Sequence, residues 1–203
     1  TDSYMIILTP RLQHAIDIAS HLHRSQTRRD KQKTPYVSHL YSVMLLVSQV
    51  TNDENTLIGA LMHDSLEDVK DFTEAMLLKE FGEEVLDIVA HVTEPYLAGE
   101  DVSLQMQWLV RKEAYIQNLK DGGSKSAIIS CADKLHNLTT FISGYEEEGE
   151  EFLKHFHGSI KNQMQFYGLI IATLKEKLGV DNTLLVKLIA KHQEALELFK
   201  NYE

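Results

Sequence analysis

The chain has 203 residues, 43% of them hydrophobic and 25% charged, the make-up of an ordinary globular protein long enough for one sizeable core. Its net charge of -10 argues against sequence-independent binding to long nucleic acids and against anionic membrane surfaces. Cys131 is the one cysteine, which excludes an internal disulfide and fits a reducing cytoplasm; no apolar run is long enough to span a bilayer, and we find no secretory signal.

Taken in order, Thr9-Pro10 predicts an N-cap followed by proline in the first helical turn, with Leu12, Ile16, Ala19 and Leu22 at helical spacing. The basic stretch His23 to Lys33 interrupts this pattern. It sets Arg24, Arg28, Arg29, Lys31 and Lys33 against Asp30 alone, and reads either as a solvated loop or as an anion-binding patch. Pro35 opens a second helix with Val43, Leu46 and Val47 on its apolar side. A third runs from about Asp53 to Val69, with acidic residues in its first turn. Thr73 caps a short helix that stops at Gly82, and another follows from Glu83 to about Val92.

Thr93 to Val102 reads as a loop. Ser103 to Leu119 is helical, with Leu104, Trp108, Tyr115 and Leu119 on one side, until "KDGGSK" breaks it. Ser126 to Ile142 forms an apolar helix, and the acidic run Glu146 to Glu151 reads as solvated surface. Ile160 to Leu178 is a long stripe ended by Gly179. Asp181 or Asn182 caps a last helix carrying Leu185, Leu188, Ile189, Leu196 and Phe199. No alternating strand pattern persists. The expected architecture is all-α, a bundle of roughly eight to ten helices at typical helix lengths. One domain covers residues 1–203, with its core at 10–178 and a terminal helix at 181–201.

A few polar residues do not fit an apolar bundle. His14, His21, His23, His155, His157 and His192 read as surface or partly buried residues, and His91 ends a helix. His39, however, precedes Val43 by four positions and so shares the apolar stripe; alone, it reads as a core histidine bonded to backbone. Asp133 lies between Ile129 and Asn137 on one helix face and needs a partner. Lys134 is adjacent, but i,i+1 neighbours on a helix do not face each other. "ALMHDSLEDV" adds His63 and Asp64 inside another apolar helix.

A divalent cation would satisfy His39, His63, Asp64 and Asp133 together. Two nitrogens and two carboxylates suit Mn²⁺, Fe²⁺ or Zn²⁺ better than Mg²⁺. Glu67 and Asp68 lie one turn further along the same predicted helix, placed to act on water at such a site. Arg111, Lys112, Lys120 and Lys125 read most simply as helix-surface charge.

The stretches "HRSQTRRDKQKTPYVSH", "ALMHDSLEDV" and "CADKLHNL" resemble the three signature blocks of the HD-domain phosphohydrolases, above all the hydrolase domain of RelA/SpoT-type enzymes and the stand-alone small alarmone hydrolases. "FGEEVLDIVAHVTE" is similar to the family's Phe-Gly element and the helix after it; Leu40 stands where the family usually has proline. The resemblance implies Mn²⁺ held by His39, His63, Asp64 and Asp133, and catalysis by Glu67 and Asp68. It implies a nucleotide contact at Asn137, and Arg24, Arg28 and Lys31 in the block that holds base and phosphates. The implied reaction removes the 3′-pyrophosphate from guanosine tetra- or pentaphosphate, a small-molecule substrate. Alternatives are HD-type hydrolysis of another nucleotide or phosphorylated cofactor, or a non-catalytic nucleotide-binding module.

Overall fold

The computed structural model describes residues 5–95, 104–156 and 159–202. Residues 96–102 of the expected loop, together with Ser103 and His157, lie outside the described residues, as does the side chain of Leu104. Among the described residues there are eleven helical segments and no strand beyond a single bridge between Thr27 and Pro35. None of these helices is long and apolar enough to cross a membrane.

Local chemistry explains where the helices begin. α1 (Pro10–Leu22) starts where the Thr9 side chain accepts the Leu12 N–H, with proline in its first turn. α2 (Val37–Val47) follows Tyr36. α3 (Glu54–Met62) is capped by Asp53, which accepts the Thr56 N–H. α4 (Ser65–Asp68) is a single turn. Thr73 caps α5 (Glu74–Phe81), and Gly82 at φ 86° ends it and opens α6 (Glu83–Ala90). α7 (Leu104–Asp121) and α8 (Ser124–Glu148) follow, then the short α9 (Glu150–Leu153). Ser159 caps α10 (Ile160–Leu178), and Asn182 caps α11 (Thr183–Leu198).

Two expectations change. The helix expected from Asp53 to Val69 is broken: α3 ends at Met62, and His63 and Asp64 form the turn before α4. The helix expected from Ser126 to Ile142 is longer, α8 running from Ser124 to Glu148, so the largely exposed acidic run Glu146 to Glu151 forms its end, a glycine turn at Gly149 and the start of α9. Repulsion among these carboxylates is weak where they are solvated, so the tertiary context decides their conformation.

α8 is the central element, packed against α2, α3, α10 and α11. Leu40, Ile58, Leu61, Ile129, Leu138 and Leu174 are among the fully buried residues around it. Fully burying one such side chain contributes about 1.5–3 kcal/mol, so this seam dominates the stability of the fold. Gly59 brings α3 close to α6 and α8: a Cβ there would sit 2.7 Å from Ile88 Cγ2 and 3.0 Å from Ile129 Cδ1. Arg11 adds a polar tie, donating to Glu54, Asn55 and the Phe81 carbonyl, which joins α1 to α3 and α5.

Candidate metal centre and its cleft

Three elements bring four side chains to one point. His39 comes from α2, His63 and Asp64 from the turn after α3, and Asp133 from the middle of α8. His39 Nε2 lies 3.1 Å from Asp133 Oδ1 and 3.6 Å from Asp64 Oδ2. His63 Nε2 lies 3.2 Å from Asp64 Oδ2 and 3.6 Å from Asp133 Oδ1. Nitrogen and oxygen therefore alternate around a small ring. An ion with six bonds of about 2.1 Å spaces adjacent donor atoms by about 3 Å. His39, His63 and Asp64 have donor atoms all within 4.8 Å of one another and could hold one divalent cation, with Asp133 Oδ1 beside both imidazoles.

The hydrogen bonds support the same conclusion. His63 Nδ1 is 2.8 Å from the Ala60 carbonyl and must donate to it, so Nε2 is the nitrogen left to take a proton or a cation. That Nε2 is buried, has no hydrogen-bond partner and faces two carboxylates. Two carboxylates facing a buried imidazole nitrogen call for positive charge there, supplied by a proton on Nε2 or by a cation held between the groups. Burial works against a charge on His63 itself, yet Asp64 and Asp133 raise it to about 9. Burial would raise Asp133, but Lys134 and the two imidazoles override it and hold that carboxyl well below the usual range. The cluster draws positive charge to its centre.

The surrounding contacts fix the four groups. Tyr36 Oη donates to Asp64 Oδ2 at 2.6 Å. His39 Nδ1 meets His136 Nδ1 at 2.8 Å. Burial and the nearby His39 and Arg28 push His136 down to about 4, so it is neutral and one of the two rings donates to the other. For His39 to turn an Nε2 lone pair toward a cation, it donates through Nδ1 and His136 accepts. Asn137 Nδ2 donates to Asp133 Oδ1 at 2.6 Å, and Arg28 Nη2 donates to Asn137 Oδ1 at 3.0 Å. Asn137, expected at the nucleotide, lines the open space beside the ring and also links Arg28 to Asp133.

Lys134 corrects a sequence expectation. Its ammonium reaches Asp133 Oδ2 at 2.6 Å, because a long side chain can fold back to an adjacent residue that a short one cannot face. Its charge also lies 4.7 Å from the Tyr115 ring centre.

The ring opens into a recess of about 160 Å³ lined by Tyr36, Glu67, Asp68, Lys112, Tyr115 and Lys134. The recess adjoins a cleft of about 720 Å³, whose walls include Arg28, Arg29, Arg111, Trp108, Phe156 and Tyr167. Glu67 and Asp68 line both. Glu67 reaches solvent, but the recess walls strip part of its hydration. That crowding, with the negative charge of Asp64, pushes it up to about 7. The same two influences raise Asp68.

The basic loop is ordered rather than simply solvated. Arg28 N–H donates to the Thr34 carbonyl and Tyr36 N–H to the Gln26 carbonyl, closing a small hairpin with Lys33 at φ 55°. It delivers Arg28 and Arg29 to the cleft. Arg24 and Lys31 do not line it: Arg24 donates to the His21 carbonyl at 2.6 Å, and Lys31 is exposed. The hairpin register aims only part of the basic run inward. His23 also departs from expectation, being 1% exposed and stacked against Tyr36.

Residues that the sequence reading missed are Tyr36, His136, Lys134 and Glu94. His136 stands three positions after Asp133, a spacing that shares a helix face and carried a usable signal. Glu94, in an irregular segment, carried none.

Residues 15–156 match the HD domain family. A Drosophila melanogaster relative, guanosine-3′,5′-bis(diphosphate) 3′-pyrophosphohydrolase MESH1, is 36% identical over 63% of this chain and 68% of its own length. A guanosine-3′,5′-bis(diphosphate) 3′-pyrophosphohydrolase of Borreliella burgdorferi is 33% identical over 62% of this chain and 18% of its own length. A solved structure, that of a metazoan ortholog of SpoT described as hydrolysing ppGpp, superposes with a TM-score of 0.72 at 26% identity, covering 94% of this chain and 98% of that one.

Proposed function

The chain belongs to the HD domain family, and from that premise we propose that it is a divalent-metal-dependent hydrolase that removes the 3′-pyrophosphate from guanosine tetra- or pentaphosphate. The observation that carries this reading is the ring of His39, His63, Asp64 and Asp133 opening beside Glu67 into a cleft with cationic walls. Relatives that share the family's core act on that nucleotide.

In this reading the four ring residues hold Mn²⁺, for which mixed nitrogen and carboxylate donors are suited. Bound there, the cation supplies Lewis-acid activation of water and of a phosphoryl oxygen. Tyr36, His136 and Asn137 keep three of the four holding groups in orientation. Glu67 takes the proton of the attacking water; a carboxylate poised near neutrality suits that task. Asp68 assists beside it. Water adds to the phosphorus nearest the ribose, the bond from that phosphorus to the 3′ oxygen breaks, and the 3′ oxygen takes up a proton. Pyrophosphate and guanosine 5′-diphosphate (5′-triphosphate from the pentaphosphate) with a free 3′ hydroxyl leave. Arg28 and Arg29 offset phosphate charge that would otherwise meet a carboxylate-rich site. The cytoplasm is the compartment in which such a nucleotide and the buried free thiol of Cys131 belong.

The test is product identity. Protein loaded with Mn²⁺ is incubated with guanosine tetraphosphate and, separately, with nucleoside mono-, di- and triphosphates and cyclic dinucleotides. Stoichiometric pyrophosphate from the tetraphosphate is expected. Orthophosphate from simple nucleotides, with the tetraphosphate untouched, would assign another substrate; no turnover across the panel would assign a binding module.

Tyr36→Phe probes the support of Asp64. Losing the 2.6 Å hydrogen bond is expected to weaken Mn²⁺ binding about 10–100-fold, the range for outer partners of metal ligands. Titration calorimetry reads the change; an unaltered affinity would show that Tyr36 does not orient Asp64.

A further inference from the structure

Glu67 is held from outside its own helix. Its Oε2 accepts the backbone N–H of Glu94 at 3.0 Å. The Glu94 side chain, 10% exposed, is gripped in turn by Lys112 and, at 3.4 Å, by Arg111 Nε, both on α7. The Lys112 ammonium lies 4.9 Å from the Phe166 ring centre and 5.8 Å from that of Trp108, so α10 backs the grip. Lys112 is therefore no helix-surface charge. It lines the recess, yet it contacts none of the four ring residues.

On the reading of Glu67 as the proton acceptor, we propose that Lys112, acting through Glu94, is a positioning residue that holds the Glu67 carboxylate in its working orientation. Loss of Lys112 leaves the nearly buried Glu94 carboxylate only the more exposed Arg111, at 3.4 Å, so Glu94 shifts outward toward that cation and water. The Glu94 N–H moves with it, and Glu67 loses the bond that fixes one of its oxygens. With Oε2 held, Oε1 is the oxygen left to take the proton. Displacing a reacting group by about 1 Å can cost on the order of 100-fold in rate. α7 thus sets turnover without touching the cation ring.

The experiment uses the full chain, Mn²⁺ and guanosine tetraphosphate. Lys112→Met, Lys112→Arg and Glu94→Gln are each measured alone and combined with Glu67→Gln. Lys112→Met and Glu94→Gln are expected to lower kcat about 10–100-fold with KM within about twofold. Lys112→Arg restores most of the rate, because it keeps the charge beside Glu94. Mn²⁺ affinity by calorimetry stays unchanged in all three. Neither variant lowers the residual rate of Glu67→Gln any further. A rise in KM at unchanged kcat would instead make Lys112 a direct phosphate contact, and multiplicative losses on the Glu67→Gln background would cut the link to Glu67; either result overturns the proposal. Full activity of Glu67→Gln by itself would overturn the reading of Glu67, a separate signature. Should Lys112→Met not fold, the isosteric Glu94→Gln carries the same comparisons.

Discussion

Asp64→Ala abolishes both metal content and turnover: this is the largest effect expected of any single substitution in the chain. Asp64 Oδ2 is within 3.6 Å of both imidazole nitrogens and takes the Tyr36 hydrogen bond as well. Without it the ring keeps two neutral imidazoles and one carboxylate, and that carboxylate is already partly neutralised by Lys134. Mn²⁺ affinity is expected to fall by more than about 100-fold, beyond the range typical of outer partners. Atomic absorption on the purified variant should find substoichiometric metal, and pyrophosphate release should drop to the uncatalysed background. A variant with full metal content would remove Asp64 from the ring. Secondary structure should persist, since Asp64 sits at a turn with its surface partly open to solvent.

Glu67→Gln separates binding from chemistry. Glu67 is no member of the ring, so the variant should retain wild-type Mn²⁺ content while turnover falls about 100- to 10,000-fold, the usual contribution of a positioned acid–base group. Unchanged turnover would exclude Glu67 from proton transfer.

The same substitution has a stability signature in the metal-free protein. Glu67 is raised in the folded state from 4.5 to about 7, so ionising it opposes folding. The cost is absent below about pH 4.5, grows as pH rises, and is complete above about 7. Because the side chain reaches solvent, screening reduces the effect to about 1 kcal/mol. Urea unfolding in chelator should therefore find Glu67→Gln more stable than wild type at pH 8 and equal to it at pH 4. A site tuned for chemistry at the expense of stability behaves in this way.

Much of this structure was readable before any coordinates, for local reasons. Thr9, Thr73 and Asn182 cap helices because a short side-chain oxygen can satisfy an N–H two or three residues on, whatever the surroundings. Gly82 and Gly179 end helices in backbone conformations that other residues adopt only with strain. His39, His63, Asp64 and Asp133 stood out because an ionisable group in an apolar stripe demands a partner. The break at His63 and Asp64 was not readable, since a two-residue turn hardly disturbs hydrophobic periodicity. Nor was the aim of the basic run. Which of Arg24, Arg28 and Lys31 faces inward depends on the hairpin hydrogen bonds around Thr34, and composition does not encode them. Glu94 and Lys112 meet only through tertiary contact, and each alone looks like ordinary surface charge.

The missing side chain at Gly59 has one more implication. The spacing between the helix that ends at the histidine–aspartate turn and the helix bearing Asp133 is set there by bare backbone against Ile88 and Ile129. Any larger residue would have to push α3 away from Ile88 on α6 and Ile129 on α8, and so would shift the turn that carries His63 and Asp64 relative to Asp133. A library bred for heat resistance while turnover is still demanded should leave this junction untouched. Its gains should gather instead at exposed aliphatics such as Val180 and Val186.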